Sequence, residues 1–359
     1  MSYLGENKYF SFRDGYCEVL PKANISSKEA AELGRTIAGF FTRFSIGCSG
    51  FERLPILYAL CSGISECGKD VYVCENTDMP SFRFGFPLLS SDCGIFISDS
   101  AGLKFSFFDK SGFTLPESLL SKIMNSTPQQ PSERSGKIHS ATSFKSIYIN
   151  HISDSLGKEH NIISAGISCG NKNIRSLWLE FFSGENDTLV FQISDDGQRV
   201  NAYSTELGFI SYEKLTLAYC LKLINSGGTV WLPENFHYAA DYLESGIKRF
   251  NTDTGIPDDA ENVRFLHDTL YMCVHLASDK NEMTENIKKL PKLASAKREI
   301  TVSNMDNLPL NKVFSNEKGR VIITPSGKNR ISLLAQTLSS ETATELCSVW
   351  TEKLRRHNL

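Results

Sequence analysis

Long apolar runs are missing from this 359-residue chain. None approaches the roughly 20 residues that a membrane-spanning helix needs. The first residues, M-S-Y-L-G-E-N-K, carry no apolar signal stretch. Both absences lead us to expect a soluble, cytoplasmic protein with no membrane contact. An excess of one charge is missing too: 38 Lys and Arg stand against 41 Asp and Glu, a formal net charge of −3. That balance argues against a nucleic-acid binder driven by bulk electrostatics. The ten cysteines form no C-x-x-C, and the seven histidines form no H-x-x-x-H or H-E-x-x-H. A zinc site is therefore not expected, and the cysteines read as small buried apolar residues. Heptads, low-complexity tracts and long internal repeats are lacking as well.

What is present is a globular composition, 41% hydrophobic and 22% charged. The length exceeds one ordinary core, so about two to four domains are expected. Helical and strand patterns alternate. Ser26 or Ser27 with Glu29 starts a helix whose apolar positions are Ala30, Leu33 and Ile37. A strand at Phe44–Cys48, a helix over 54–67 and a strand at Val71–Cys74 follow, then a helix from Met79 to Leu89. The polar run from Met124 to Thr142 reads as a linker. Beyond it, 144–152 and 161–168 read as the start of a second α/β unit, followed by a strand at 188–193, a helix over 212–223, a strand at 229–232 and a helix over 238–243. The segment 255–295 reads as one helix near 266–277 and a lysine-rich tail. A strand at 320–324, a loop over 325–330, a strand at 331–338 and a helix over 340–354 close the chain. This is an α/β pattern with crossover connections.

Three loops stand out, though each is also a common turn or loop by composition. In G-I-F-I-S-D-S-A-G-L-K-F-S-F-F-D-K-S-G (94–112), two apolar strands flank a short turn that displays Ser100 and Lys104, a setting suited to phosphoryl or acyl transfer. The strand at 188–193 runs into S-D-D-G-Q-R, where carboxylates of Asp195 and Asp196 could hold a hard cation and Gly197 permits the turn. The T-P-S-G-K-N-R stretch offers Ser326, Gly327, Lys328 and Arg330 to a phosphate.

In order and spacing these loops resemble those of the α-D-phosphohexomutase superfamily, which includes phosphoglucomutases, phosphomannomutases and phosphoglucosamine mutases. L-G-R-T-I-A-G-F-F from Leu33 looks like that family's first helix, and T-D-M-P from Thr77 like its threonine-proline turn. The resemblance implies a multi-domain α/β architecture with mixed sheets around a cleft. Its expected parts are a serine-loop domain over 1–135, a metal-loop domain over 136–254, a reduced third domain over 255–300 and a small α+β C-terminal phosphate-loop domain over 301–359. It further implies that Ser100 is the phosphorylated serine and Lys104 the active-site lysine. Asp196, with Asp195 beside it, would bind Mg2+, and Arg199 matches the arginine that ends the metal loop.

The departures bear on activity. The H-N-P neighbours of the family's serine are missing. Ser194 and Gln198 replace the first and third aspartates of D-G-D-G-D-R, so only a weak magnesium site is expected. The sugar-recognition loop, G-E-x-S-G, has no counterpart between Gly255 and Val302. Thr324, Lys328 and Asn329 replace the arginine, threonine and glutamate of the last loop. Two readings follow. The favoured one is a catalytically impaired relative that binds a sugar phosphate or a protein partner. The alternative is an active mutase working through phospho-Ser100. An altered activity on a smaller phosphorylated substrate is a third.

Overall fold

The computed structural model describes residues 10–13, 16–19, 25–99, 102–157, 161–185, 188–243, 246–251, 255–257, 262–303, 305, 308–310, 312–327 and 329–356. They form two compact units: a larger one built from Glu6–Ile210 and His267–His275, and a smaller one built from Ser211–Leu266 and Leu276–Leu359.

In the larger unit, a hairpin of β1 (Phe10–Arg13) and β2 (Tyr16–Val19) precedes α1 (Ser27–Ile37). The helix starts where its cap predicts. The Ser26 hydroxyl accepts the Glu29 N–H at 3.3 Å, and the Glu29 carboxylate accepts the Ser26 N–H at 2.7 Å, a reciprocal capping box. The chain continues through β3 (Arg43–Cys48), α2 (Leu54–Glu66), β4 (Asp70–Cys74) and α3 (Met79–Gly85). A 3₁₀ turn at Phe86–Leu89 leads to β5 (Cys93–Ser98), β6 (Lys104–Asp109), α4 (Glu117–Met124) and β7 (Ile138–Ser140).

The seven strands make one mixed sheet in the order β1-β2-β6-β5-β3-β4-β7. Within it β3 runs parallel to β4 and β5, and β6 returns antiparallel to β5. Alternate side chains serve opposite faces. Ile95, Ile97, Phe105 and Phe107 pack with Phe44 and Ile46 under Leu33 and Ile37 of α1 and Leu57, Leu60 and Ile64 of α2. Phe96 and Phe108 face the other way, into a cluster with Phe82, Phe86 and Phe144. Burial on both faces explains why these strands read as continuous apolar runs. Two glycines make room for rings: a Cβ on Gly47 would lie 2.6 Å from Phe82, and one on Gly94 2.7 Å from Phe86.

One expectation fails here. The polar run from Met124 to Thr142 is not only a linker, because β7 inside it pairs parallel with β4, Val71 opposite Ile138. A sheet-edge strand is held by backbone pairing and needs little apolar content, so composition alone does not reveal it.

The rest of the larger unit contains α5 (Lys145–Leu156), β8 (Ile163–Ser168), α6 (Lys172–Trp178) and β9 (Phe182–Gly184). Then come β10 (Leu189–Ile193), β11 (Val200–Ser204) and β12 (Gly208–Ile210). These five strands form a second mixed sheet in the order β12-β11-β10-β8-β9, with β10 parallel to β8 and antiparallel to β11. Trp178, Phe182 and Phe191 meet at its core with ring centroids 5.3–5.8 Å apart.

The smaller unit begins with α7 (Tyr212–Asn225), followed by a parallel pair, β13 (Val230–Pro233) and β14 (Ile247–Phe250). The helix expected over 238–243 is a 3₁₀ turn, Tyr238–Tyr242. After α8 (Thr269–Ala277), whose residues up to His275 belong to the larger unit, the stretch expected as a lysine-rich tail is a helix, α9 (Lys280–Lys289). Asp279 caps it, and it buries Met283, Asn286 and Ile287. Its apolar face is only two residues wide, which is why its lysines dominate the sequence signal. An antiparallel sheet of β15 (Ala294–Thr301), β16 (Lys312–Asn316), β17 (Gly319–Gly327) and β18 (Arg330–Thr337) follows, in the order β15-β18-β17-β16. The last helix, α10 (Ser340–Arg356), lays Leu346, Cys347 and Leu354 over Val321, Ile323, Ile331 and Leu333.

The architecture is thus α/β with mixed sheets and an antiparallel C-terminal sheet. No described helix is long and apolar enough to cross a membrane. Nine cysteines, from Cys48 to Cys347, are free thiols, all buried except the half-buried Cys169. Burial pushes the Cys61 and Cys74 thiols up to about 12, so they are inert at neutral pH.

Candidate functional site

In the larger unit, the C-terminal ends of β5 and β10 open onto one small cleft. Its lining includes Ser98 from β5, Asp78 and Met79 at the start of α3, Asn171 and Asn173 around the start of α6, and Asp195 and Asp196 from the turn after β10. The ends of strands, where the chain must turn, are where sheet proteins of this type place their sites.

Ser100 lies outside the described residues. Its flanks are placed. Ser98 is buried and sits opposite Lys104 in the β5–β6 ladder. Asp99 forms an ion pair with Arg53. The structure therefore brings the strand leading into the serine turn to the same cleft as Asp195 and Asp196, and sets Lys104 at the start of the returning strand.

The acidic turn is closed by its own atoms. Gly197 adopts φ +71°, the left-handed region that a glycine enters freely. The Ser194 N–H donates to the Arg199 carbonyl at 2.9 Å, and the Gly197 N–H donates to the Ser194 carbonyl at 2.8 Å. The Ser194 hydroxyl accepts the Arg199 N–H at 2.9 Å and lies 2.6 Å from Asp196 Oδ1. That same carboxylate oxygen accepts the Gln198 N–H at 3.0 Å. Neighbours hold the turn from outside. Asn171 Nδ2 donates to the Asp195 carbonyl at 2.8 Å, and Thr269 Oγ1 donates to the Gly197 carbonyl at 2.7 Å. Arg83 donates to the side-chain oxygen of Gln198 and to the carbonyl of Gly112. The Asp195 and Arg199 side chains stay exposed.

These residues do not fit the resident Mg2+ that the resemblance implies. A hard cation needs several oxygen ligands, charged ones above all. Among the described residues, no group of three or more His, Cys, Asp or Glu side chains is disposed to hold a metal. Asp196 Oδ1 is engaged by Ser194 and Gln198, and the positions of the two missing aspartates carry a hydroxyl and an amide.

Asp78 is the buried acid of the cleft. It caps α3 by accepting the Ser81 N–H at 2.8 Å. Burial raises its carboxyl above the usual aspartate range, against the cap and the nearby Lys145, which pull it down.

In the smaller unit, the stretch expected as a phosphate loop is largely strand. Thr324, Pro325 and Gly327 continue β17 and pair with Ser332, Ile331 and Arg330 of β18. The register shift between Pro325 and Gly327 leaves Ser326 as the extra residue of a bulge. Ser326 and Arg330 are exposed, and Lys328 lies outside the described residues. The expected loop is shorter than composition suggests because a Pro-Ser-Gly run is also a strand-end bulge.

Sequence reasoning missed Arg83, Asp78, Asn171 and Thr269. Asp78 had a signal, since T-D-M-P is a helix-start pattern. Arg83 had a fainter one, a lone cation in the apolar run M-P-S-F-R-F-G-F. Asn171 and Thr269 act through side-chain contacts to main-chain carbonyls far away in sequence, which no local pattern reports.

Comparison with known proteins bears on the fold. No protein-family model and no curated protein sequence matches the chain. Solved structures do match. A phosphoglucomutase/phosphomannomutase family protein from Burkholderia thailandensis aligns over 96% of this chain and 95% of its own, with TM-score 0.66 and 12% identity. The open form of the exocytosis-sensitive phosphoprotein parafusin, a phosphoglucomutase from Paramecium, aligns over 91% of each chain, with TM-score 0.55 and 11% identity. Across most of its length, this chain shares the fold of these phosphoglucomutase/phosphomannomutase structures.

Proposed function

We propose that this protein is a divergent, catalytically impaired phosphohexomutase-like protein that binds a sugar phosphate. The observation that carries the reading is the state of Asp196: its Oδ1 is committed to Ser194 and Gln198, and among the described residues no group of three His, Cys, Asp or Glu side chains is disposed to hold a metal there. Phosphoryl transfer depends on positioned positive charge to neutralise the phosphoryl oxygens. Removing such stabilisation costs many powers of ten in rate. The scaffold around the cleft does not share these losses. In the smaller unit, the exposed Arg330 and Ser326 suit a phosphate. Retention of a sugar phosphate without turnover would make the protein a sensor or a partner of a true mutase.

One observation favours the second reading, an active mutase through phospho-Ser100 with Lys104 as general acid/base. The serine strand and the acidic turn still line one cleft. Incubation with Mg2+ and glucose 1,6-bisphosphate, followed by peptide mass spectrometry, separates the two. We expect Ser100 to stay unmodified under conditions where a true mutase labels. Phosphate on Ser100, absent from Ser100→Ala, would overturn the impaired reading.

A further inference from the structure

The acidic turn keeps its shape although its side chains do not fit a divalent cation, and the structure points to what holds it instead. Arg83 sits in the interior of α3 and is buried. Its guanidinium lies 4.8 Å from the centroid of the Phe108 ring and is tied to the Gly112 carbonyl. From this fixed position it donates to Gln198 Oε1. Gln198 occupies the place where the resembled metal loop carries its third aspartate. The amide's own nitrogen, Nε2, is buried and has no hydrogen-bond partner among the described residues. Turning the amide over would set its N–H2 against the guanidinium donors, so Arg83 fixes its orientation.

We propose that Arg83 is a positioning residue that replaces a divalent cation at this turn, making residues 194–199 metal-independent. A cation-binding loop of carboxylates is held open by mutual repulsion until an ion neutralises it. Here both requirements are removed. The hydroxyl of Ser194 and the amide of Gln198 bring no negative charge, and the remaining Asp196 accepts hydrogen bonds from the Ser194 hydroxyl and the Gln198 N–H. The guanidinium supplies a permanent positive charge from the buried side. The cost of desolvating it is offset by the Phe108 ring and two oxygen acceptors. Asn171 and Thr269 anchor the turn at two further carbonyls, so every corner of it is pinned by protein atoms.

The proposal is read through stability, without any sugar phosphate or transfer reaction, so its failure is distinct from failure of the functional reading above. Thermal unfolding of the full chain is measured in EDTA and across a Mg2+ titration, for the natural protein, Gln198→Glu and Gln198→Ala. The natural protein should unfold at the same temperature in both. Gln198→Glu replaces the orphaned N–H2 with an acceptor and forms an ion pair with Arg83, so it should unfold several degrees higher, equally in EDTA and in Mg2+. Gln198→Ala removes the Arg83 partner and should unfold lower, again equally in both. A saturable rise of the natural protein's unfolding temperature with Mg2+ would overturn the proposal, because a ligand that binds the native state stabilises it. So would a gain for Gln198→Glu that appears only with Mg2+, or no gain at all.

Discussion

The first sheet and the cleft at its strand ends are built on opposite principles. The sheet is redundant. Phe44, Ile95, Phe105 and Phe107 on one face, and Phe82, Phe96 and Phe108 on the other, each touch several equivalent neighbours. Such a core survives exchange of any one residue for another of similar volume. The cleft has no such tolerance. Its turn at 194–199 rests on individual donors and acceptors, and each substitution there changes which ion or ligand the site can hold. Hence a fold can be shared at 12% identity with a phosphoglucomutase/phosphomannomutase family protein while the turn at 194–199 rests on its own set of single contacts. Packing preserves architecture under drift; single atoms preserve chemistry only under selection for that chemistry.

That contrast can be attacked at both ends. The scaffold is least redundant where backbones touch. α1 and α2 approach so closely that a Cβ on Gly63 would collide with the Ala31 carbonyl. Gly63→Ala should therefore destabilise by about 3 kcal/mol, since only backbone movement can relieve the overlap. A denaturant-unfolding midpoint indistinguishable from the natural protein would show the helix pair to be as forgiving as the apolar core.

The smaller effect lies in the cleft. Burial raises the folded-state pKa of Asp78 above its unfolded value. Between those two values the folded chain holds a proton that the unfolded chain has released, so this group's contribution to stability falls as pH rises through the window and is fully lost above the folded value. Asp78→Asn keeps a good helix cap and removes the titration. It should lie within about 1 kcal/mol of the natural protein at neutral pH. Its stability should also decline less with rising pH from the ordinary aspartate value upward. Unfolding midpoints across the acidic range test this. A steeper decline in the variant would mean that the carboxylate, and not its protonated form, is what the cleft favours.

Much of the scaffold was legible because burial on both faces writes itself into the sequence. Ile95-Phe96-Ile97 and Phe105 to Phe108 read as strands, and they are β5 and β6. Ser26 and Glu29 announced α1. Edge strands were illegible: β7 and β15 carry polar, partly exposed residues, and only backbone pairing makes them strands. At the site, Asp195, Asp196 and Ser98's turn could be found from motif and spacing. The bond from Arg83 to Gln198 could not, because it joins residues 115 apart in sequence and neither has a pattern that names the other. The strand character of Thr324 to Gly327 was hidden for another reason. Pro, Ser and Gly are turn formers by composition, and a bulge uses the same residues as a loop.

The most direct test of the proposed impaired activity is turnover itself. Purified protein with Mg2+, a hexose 1-phosphate and a trace of glucose 1,6-bisphosphate is assayed for the 6-phosphate beside an active phosphoglucomutase. The account predicts no product above the blank for this chain. Product formation that Ser100→Ala abolishes would contradict it, and would mean that the turn at 194–199 supports phosphoryl transfer with Arg83 in the place of an aspartate-bound cation.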